Sequence, residues 1–253
     1  MKKNGSKFFF FVLTTLCVAL CIVVSHFFAG LISTSTFSFA NISASVSEYS
    51  LYAVSGKSFS IKTQATEFAN DLKTKNSGSY IYCENGKYYV ICSIYEHEND
   101  AKSVVENICE TLPEAEIVEI KLSGINFVNL TNENFKKSIV DVFAGFKQTY
   151  LDLYDISVSL DTSVYSQTKA MLECSKIEDY LADLLNAFPE GSTATEGAYL
   201  VLIKNKIKKI NQRIDDLINF NDSTSYTFRS KIKNTYIEIV FDLQDLIESL
   251  NEK

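Results

Sequence analysis

The first strong pattern along the chain is a run of 25 uncharged, mostly apolar residues at 8–32. About 20 apolar residues cross the hydrocarbon core of a bilayer, so this run predicts a transmembrane helix. Only lysines carry charge in the preceding segment 1–7, and the first acidic residue after the run is Glu48. The positive-inside rule therefore predicts a cytoplasmic segment 1–7 and an extracytoplasmic remainder. A cleaved signal peptide is the alternative, although its apolar part normally has only about 7–15 residues.

Strand and helix patterns alternate through residues 50–123, which follow a serine- and threonine-rich stretch at 33–49 that predicts an extended tether. Asn85-Gly86 joins two aromatic and β-branched runs, which is the pattern of a two-residue hairpin turn. The order is β-α-β-β-α-β, which predicts a ferredoxin-like sheet with both helices on one face. The predicted elements lie near 51–55, 63–74, 79–84, 87–92, 100–111 and 116–122, with Thr63 as the cap of the first helix.

Helical periodicity fills residues 131–252 and predicts an all-α antiparallel bundle or hairpin. Its two clearest seams repeat every three and four residues, one from Ile203 to Leu217 and the other from Ile232 to Leu250. The fold class predicted for the whole chain is therefore α+β. One helix also carries a basic cluster, interpreted as a solvated face because the region is extracytoplasmic; its members are Lys204, Lys206, Lys208, Lys209 and Arg213.

Charge and motif content exclude several function classes. The chain has a formal net charge of -7, and because residues 1–40 contain three lysines and no acid, the remainder carries -10. Such an acidic ectodomain is not suited to nucleic acid. No CxxC, HExxH or glycine-rich phosphate loop occurs in the sequence, so we expect no catalytic residue, no metal site and no cofactor. The four cysteines after the predicted span are compatible with pairing or with reduced core positions: Cys83, Cys92, Cys109 and Cys174.

Three features of residues 51–122 together match a known pattern. These are Tyr52-Ala-Val-Ser-Gly-Lys-Ser-Phe59, the helix that follows it, and Gly86-Lys-Tyr-Tyr-Val-Ile-Cys-Ser93. With these features, residues 51–122 resemble a SPOR domain, the sporulation-related repeat of bacterial envelope proteins. It implies binding of peptidoglycan glycan strands stripped of stem peptides, through the sheet face that the helices leave free. It also implies a single-pass anchor with a tether.

The resemblance and the strand period together single out one face of the sheet as a candidate site. Ser55 takes the place of the family's glutamine, and Ser58 matches its serine. If Ile81 and Val90 face the helices, the tyrosines of both hairpin strands face the other way, where their rings suit the apolar faces of sugars. Packing of this aromatic face on a neighbouring domain is the alternative. The candidate ligand-binding residues are Ser55, Ser58, Tyr80, Tyr82, Lys87, Tyr89 and Ile91.

The sequence thus predicts a membrane-anchored, extracytoplasmic, non-catalytic protein of bacterial cell division or sporulation that binds peptidoglycan glycan strands. Its expected partners are those strands, the bilayer through 8–32, and a division or sporulation protein through the helices of 131–252. The alternative is a protein–protein scaffold in the envelope that docks a partner without binding glycan.

Overall fold

The computed structural model describes residues 42–130, 133–191, 193–221 and 226–252. The predicted segment 1–7 and the predicted transmembrane helix 8–32 lie outside the described residues. Within the described part, no helix is both long enough and apolar enough to cross a bilayer. The described elements are β1 Ile42–Val46, β2 Tyr49–Phe59, α1 Lys62–Thr74, β3 Tyr80–Glu84, β4 Lys87–Tyr95, α2 Glu98–Ile108, β5 Glu116–Leu122, β6 Ile125–Leu130, α3 Glu133–Asp161, α4 Gln167–Ala187, α5 Ala194–Ile218 and α6 Phe228–Asn251.

The α+β class expected from the sequence is present, and its larger sheet is antiparallel with the spatial order β3-β4-β2-β5. Helices α1 and α2 form the two crossovers, as the β-α-β-β-α-β pattern predicted. The predicted hairpin is confirmed, because Cys83 pairs with Tyr88 and Glu84 pairs with Lys87. Asn85 and Gly86 have φ angles of 49° and 77°, the left-handed conformation that a two-residue hairpin turn requires.

Strand β2 is longer than its sequence pattern indicated. Residues 56–59, predicted to lead into the first helix, instead continue the strand, and Ser58 and Phe59 pair with β4. The pairing register shifts on both sides of Ser55, and this shift interrupts the two-residue alternation by which a strand is recognised in a sequence. The predicted cap Thr63 lies inside α1; Ile61 holds the cap position and makes no side-chain capping bond.

A second, two-stranded sheet was not expected from the sequence. Strand β1 lies within the predicted tether 33–49, and β6 lies between the predicted domains 50–123 and 131–252. The two strands pair antiparallel, from Ile42 opposite Leu130 to Val46 opposite Ile125, and they pack on α3. Residues 42–49 of the predicted tether are therefore part of the described folded body, which leaves only 33–41 of that tether outside the described residues.

Helices α3 to α6 pack in a ring, since each contacts the next and α6 returns to α3. The two predicted heptad seams are confirmed as buried positions. Helix α6 buries more than its seam, because Ile237, Val240 and Phe241 are buried as well. A helix that is apolar on several sides must have neighbours on several sides, and α6 contacts β3, β4 and β5 in addition to α3 and α5. The seam residues are Ile203, Ile207, Ile210, Ile214 and Leu217 on α5, and Ile232, Tyr236, Ile239, Leu243, Leu246 and Leu250 on α6.

One hydrophobic core is continuous from the sheet into the bundle. It joins Leu51, Ile91 and Ile120 of the sheet to the buried residues of α3, α5 and α6. A smaller cluster lies on the opposite face of the sheet, where Ala65, Ala69 and Leu72 of α1 cover Val90 and Cys92. The sheet is therefore the middle layer of the described body, with α1 and α2 on one face and the bundle on the other.

Candidate functional site

The alternation predicted for the hairpin strands is confirmed. Ile81, Tyr88, Val90 and Cys92 belong to the cluster beneath α1. Tyr80, Tyr82, Tyr89 and Ile91 belong to the other face and join the larger core. The predicted side of the sheet is therefore correct for every aromatic candidate residue, because successive strand residues point to opposite faces.

Helix α6 covers this candidate face at Tyr80 and Tyr82, which lie on the edge strand β3. The ring of Phe241 stacks on Tyr80 with centroids 4.6 Å apart and an interplanar angle of 14°. The same Phe241 ring stacks on Tyr82 with centroids 4.7 Å apart. Phe241 is only 5% exposed, so the aromatic surface that would stack on a sugar stacks on a phenylalanine of the same chain.

Polar contacts at one end of the interface hold the loop before β3 against α6. Asn234 Oδ1 accepts hydrogen bonds from the backbone N–H of Ser79 at 2.9 Å and from its hydroxyl at 3.2 Å. The Ser230 hydroxyl donates to the Ser77 carbonyl at 2.6 Å. Gly78 is required between them, since a Cβ there would lie 2.2 Å from the Cys92 carbonyl oxygen. The loop, the sheet and α6 therefore meet at one closely packed point.

The seven candidate residues fall into a covered group, in which Ser55 and Ile91 are buried and Tyr80 is half-buried, and a half-exposed group. Ser55 and Ile91 are 0% exposed, and the Ser55 hydroxyl donates to the Lys57 carbonyl within its own strand. Tyr80 is held under Phe241. Ile91 and Tyr80 therefore belong to the core that the sheet shares with the bundle, and Ser55 is buried in β2 opposite Ile91.

The half-exposed group lies toward the hairpin turn. Lys87 is exposed, and its Nζ lies 5.8 Å from the centroid of the Tyr89 ring. The rings of Tyr82 and Tyr89 are 6.4 Å apart, and Ser58 is paired with Tyr89 across the strands. These four side chains form what we call the hairpin-end patch, defined as Ser58, Tyr82, Lys87 and Tyr89.

Two tyrosines of this face, Tyr80 and Tyr82, have raised pKa values, which favour the neutral hydroxyl. Burial raises the pKa of Tyr80, and the nearby carboxylates of Asp245 and Glu238 raise it further. Burial is also the main cause of the raised pKa of Tyr82. Neutral hydroxyls donate and accept hydrogen bonds but do not act as bases, so the face is suited to non-covalent contact.

A charged cluster beside this face corrects the interpretation of the basic residues of α5. Asp242 of α6 is buried and accepts hydrogen bonds from Lys209 Nζ at 2.5 Å, Arg213 Nε at 2.9 Å and Lys206 Nζ at 3.3 Å. Burial by itself raises the pKa of Asp242, but the Lys209 hydrogen bond and the Arg213 charge outweigh it, and the pKa lies below its usual value. These three cations therefore bind α5 to α6 instead of forming only a solvated face.

The four described cysteines are all free thiols, with Cys92 and Cys174 buried and Cys83 and Cys109 exposed. Burial raises the pKa of the Cys92 thiol, so this sulfur behaves as a small apolar group. Of the alternatives that the sequence left open, the structure shows the unpaired state.

Phe241 is the residue that sequence reasoning missed. It lies outside the heptad seam of α6, and its position in a run of Ile237, Ile239, Val240 and Phe241 was the available signal. Such a run makes a helix apolar on a second side, which indicates a second packing partner.

No protein-family model matches the chain, and no curated protein or solved structure matches it either.

Proposed function

We propose that this chain is a non-catalytic envelope protein, anchored by a transmembrane helix at 8–32, that docks protein partners outside the bacterial membrane. The observation that carries the proposal is the double stack of Phe241 on Tyr80 and Tyr82, which occupies the face through which a SPOR domain binds glycan. Resemblance to that family remains the reason for assigning the protein to cell division or sporulation.

The cost of uncovering Tyr80 and Tyr82 argues against glycan binding at these two rings. A glycan would have to displace two aromatic stacks, worth about 0.5–1.5 kcal/mol each beyond their buried area. It would also have to break the bonds of Asn234 to Ser79, worth about 1 kcal/mol each. Because the opposite side of α6 is buried in the bundle, moving the helix would open that core as well. A ligand shifts such an equilibrium only by its differential affinity for the open state.

The observed connectivity supports the ferredoxin-like arrangement that the β-α-β-β-α-β order predicts, since β2 and β4 are central and β3 and β5 are edges. In this arrangement the bundle has taken the helix-free face, and the opposite layer of α1 and α2 remains on the surface. The surfaces left for recognition are those of a protein scaffold: helix faces, strand edges and the grooves between them.

Glycan binding is the second candidate, and the hairpin-end patch is the observation that favours it. Tyr82 and Tyr89 are half-buried there, and Lys87 is exposed. An acidic ectodomain gains nothing from charge attraction to an anionic wall, so this patch would have to act through ring stacking and hydrogen bonds.

Sedimentation with amidase-stripped sacculi separates the two functions. The full chain in detergent should stay in the supernatant, and the double variant Lys87→Ala, Tyr89→Ala should behave in the same way. Lys121→Ala is the matched control, because Lys121 is an exposed lysine on the other edge strand. Pelleting of the unmodified chain and the control, abolished in the double variant, would establish glycan binding instead of the scaffold function.

Thiol labelling tests the proposed topology. Cys83 and Cys109 are exposed, so a membrane-impermeant maleimide should modify them in intact spheroplasts. The variant with both replaced by serine is the control and should lose the label. Labelling that requires lysis would place the folded body in the cytoplasm and contradict the proposal.

A fluorescent fusion that is uniform around dividing and sporulating cells would argue against a role in either process.

A further inference from the structure

Strand β2 extends past the strand beside it. Its pairing with β5 runs only from Tyr49 to Ser55, because β5 begins at Glu116. Its pairing with β4 continues to Ser58 and Phe59. From Gly56 onward, β2 therefore has a strand neighbour on one side only, in the described part of the chain.

The backbone groups of Ser58 point to the unpaired side. In a two-residue hairpin the closing pair, here Glu84 and Lys87, exchanges hydrogen bonds, so alternate residues of β4 direct their backbone groups to β3. Tyr89 is one of them, which means that Ser58 opposite it turns its N–H and C=O away from β4. Among the described residues, no other backbone group is bonded to Ser58 from that side.

This free edge forms one wall of an open groove of about 770 Å³. Gly56 lies at its floor between two apolar side chains, since a Cβ there would be 3.3 Å from Phe68 and 3.4 Å from Leu112. The other walls are the first turns of α1 and the loop after α2, which contribute Gln64, Glu67 and residues 111–114. The groove therefore combines an apolar floor with an unpaired strand edge.

The lining of the groove carries a small negative charge. Its charged side chains are Lys57, Glu67 and Glu114, so the two carboxylates outnumber the one amine. The ion pair of Lys57 with Glu114 leaves Glu67 at the opposite wall without an ion-pair partner within 4 Å in the described part of the chain. A basic side chain is the complementary occupant of such a rim.

We propose that this groove accepts an extended basic segment of a partner protein, which adds a strand beside Gly56–Ser60 in line with β5. The added backbone would pair with the N–H and C=O of Ser58, and alternate apolar side chains would contact Phe68 and Leu112. This inference rests on the proposed scaffold function and specifies which surface and which partner chemistry it uses.

A synthetic peptide tests the proposal directly. The probe is a fluorescent heptapeptide that alternates lysine and valine, titrated against the full chain in nanodiscs and followed by anisotropy. We expect saturable binding and slower hydrogen exchange at the Ser58 amide. A peptide with the same side chains but N-methylated on every second residue should bind at least about tenfold more weakly, because one edge has lost its donors. Glutamate in place of lysine should have a similar effect.

Variants of the groove complete the experiment. Ser58→Pro removes the outward N–H and is acceptable at an unpaired edge, so it should weaken binding at least about tenfold. The charge reversal Glu67→Lys should do the same without touching the backbone. Asp179→Lys on the exposed surface of α4 is the matched control and should bind normally.

Three results would overturn the inference. The first is that the lysine–valine peptide does not bind. The second is that binding is unchanged by both N-methylation of the peptide and Ser58→Pro. The third is that, without any peptide, hydrogen exchange of the Ser58 amide becomes slower as the protein concentration rises. The last result would assign the edge to a second copy of the chain. None of them would affect the sacculus experiment, so a failure of this inference is distinguishable from a failure of the proposed function.

Discussion

The contact of Phe241 with Tyr80 and Tyr82 makes a quantitative prediction about stability. Phe241→Ala removes a side chain that is 5% exposed and stacked on two rings. Replacement of a core phenylalanine by alanine costs about 3–5 kcal/mol, which includes the cavity that remains. Because the continuous core joins sheet and bundle, we expect the whole folded body to lose this free energy of unfolding.

The assay is urea denaturation of the full chain in detergent, followed by near-ultraviolet circular dichroism of the tyrosines. The chain has no tryptophan, so the tyrosine signal is not masked. In a thermal scan, the same loss would lower Tm by roughly 6–20 °C for a body of this size. Val201→Ala on α5 is the matched control, because Val201 is 57% exposed and its truncation should change stability by less than about 0.5 kcal/mol.

If Phe241→Ala lowered the free energy of unfolding by less than about 1 kcal/mol, the reasoning would be refuted, because removal of a buried, stacked phenylalanine costs more than that. Separate unfolding transitions for the sheet and for the bundle would refute it as well. Either result would mean that α6 does not hold the tyrosine face in solution, and glycan binding at that face would regain its place as the leading function.

Three further predictions concern the groups around this interface. Asn234→Ala leaves the Ser79 N–H and hydroxyl buried without their acceptor, so it should cost about 1–3 kcal/mol in the same denaturation assay, and a cost near zero would contradict the contact. Asp242 has a lowered pKa, so its stabilising contribution is complete above the unfolded pKa of about 3.9 and is lost as the pH falls through the lower folded value. Asp242→Asn should therefore destabilise the protein at pH 7 and make its stability less dependent on pH below about 4. An unchanged dependence of stability on pH in this acid range would argue against the charged cluster. Burial raises the pKa of both Tyr150 and Tyr236, so their stabilising contribution is complete below the unfolded pKa of about 10 and is lost as the pH rises further. Absorbance of the tyrosines at high pH should show these two ionising only when the protein unfolds. Ionisation of both in the folded state near pH 10 would show that they are solvated.

The local elements were readable from the sequence because each is encoded within a few residues. Asn85-Gly86 specifies its turn through positive φ, and the alternation of Tyr80 to Ile91 specifies which side chains share a face. The α5 seam is likewise a purely local repeat, and it is buried at every position.

Other features were not readable because their cause is distant in the chain. Strand β1 has a serine-rich sequence and forms only because β6 pairs with it and α3 covers it. The last residues of β2 are strand because β4 supplies partners for Ser58 and Phe59. Local propensity could not indicate either of these, since the stabilising contacts come from other segments.

The sequence by itself therefore determined the inventory of this protein: an apolar run long enough for a membrane, an aromatic sheet face and a set of amphipathic helices. Only the tertiary structure decided what that aromatic face touches. The two-residue alternation shows that Tyr80 and Tyr82 lie on one face of the sheet. A face that binds a sugar and a face that packs on Phe241 would have the same alternation in the sequence. Burial of apolar area is non-directional, so the identity of the covering surface depends on shape and on long-range contacts such as that of Asn234 with Ser79.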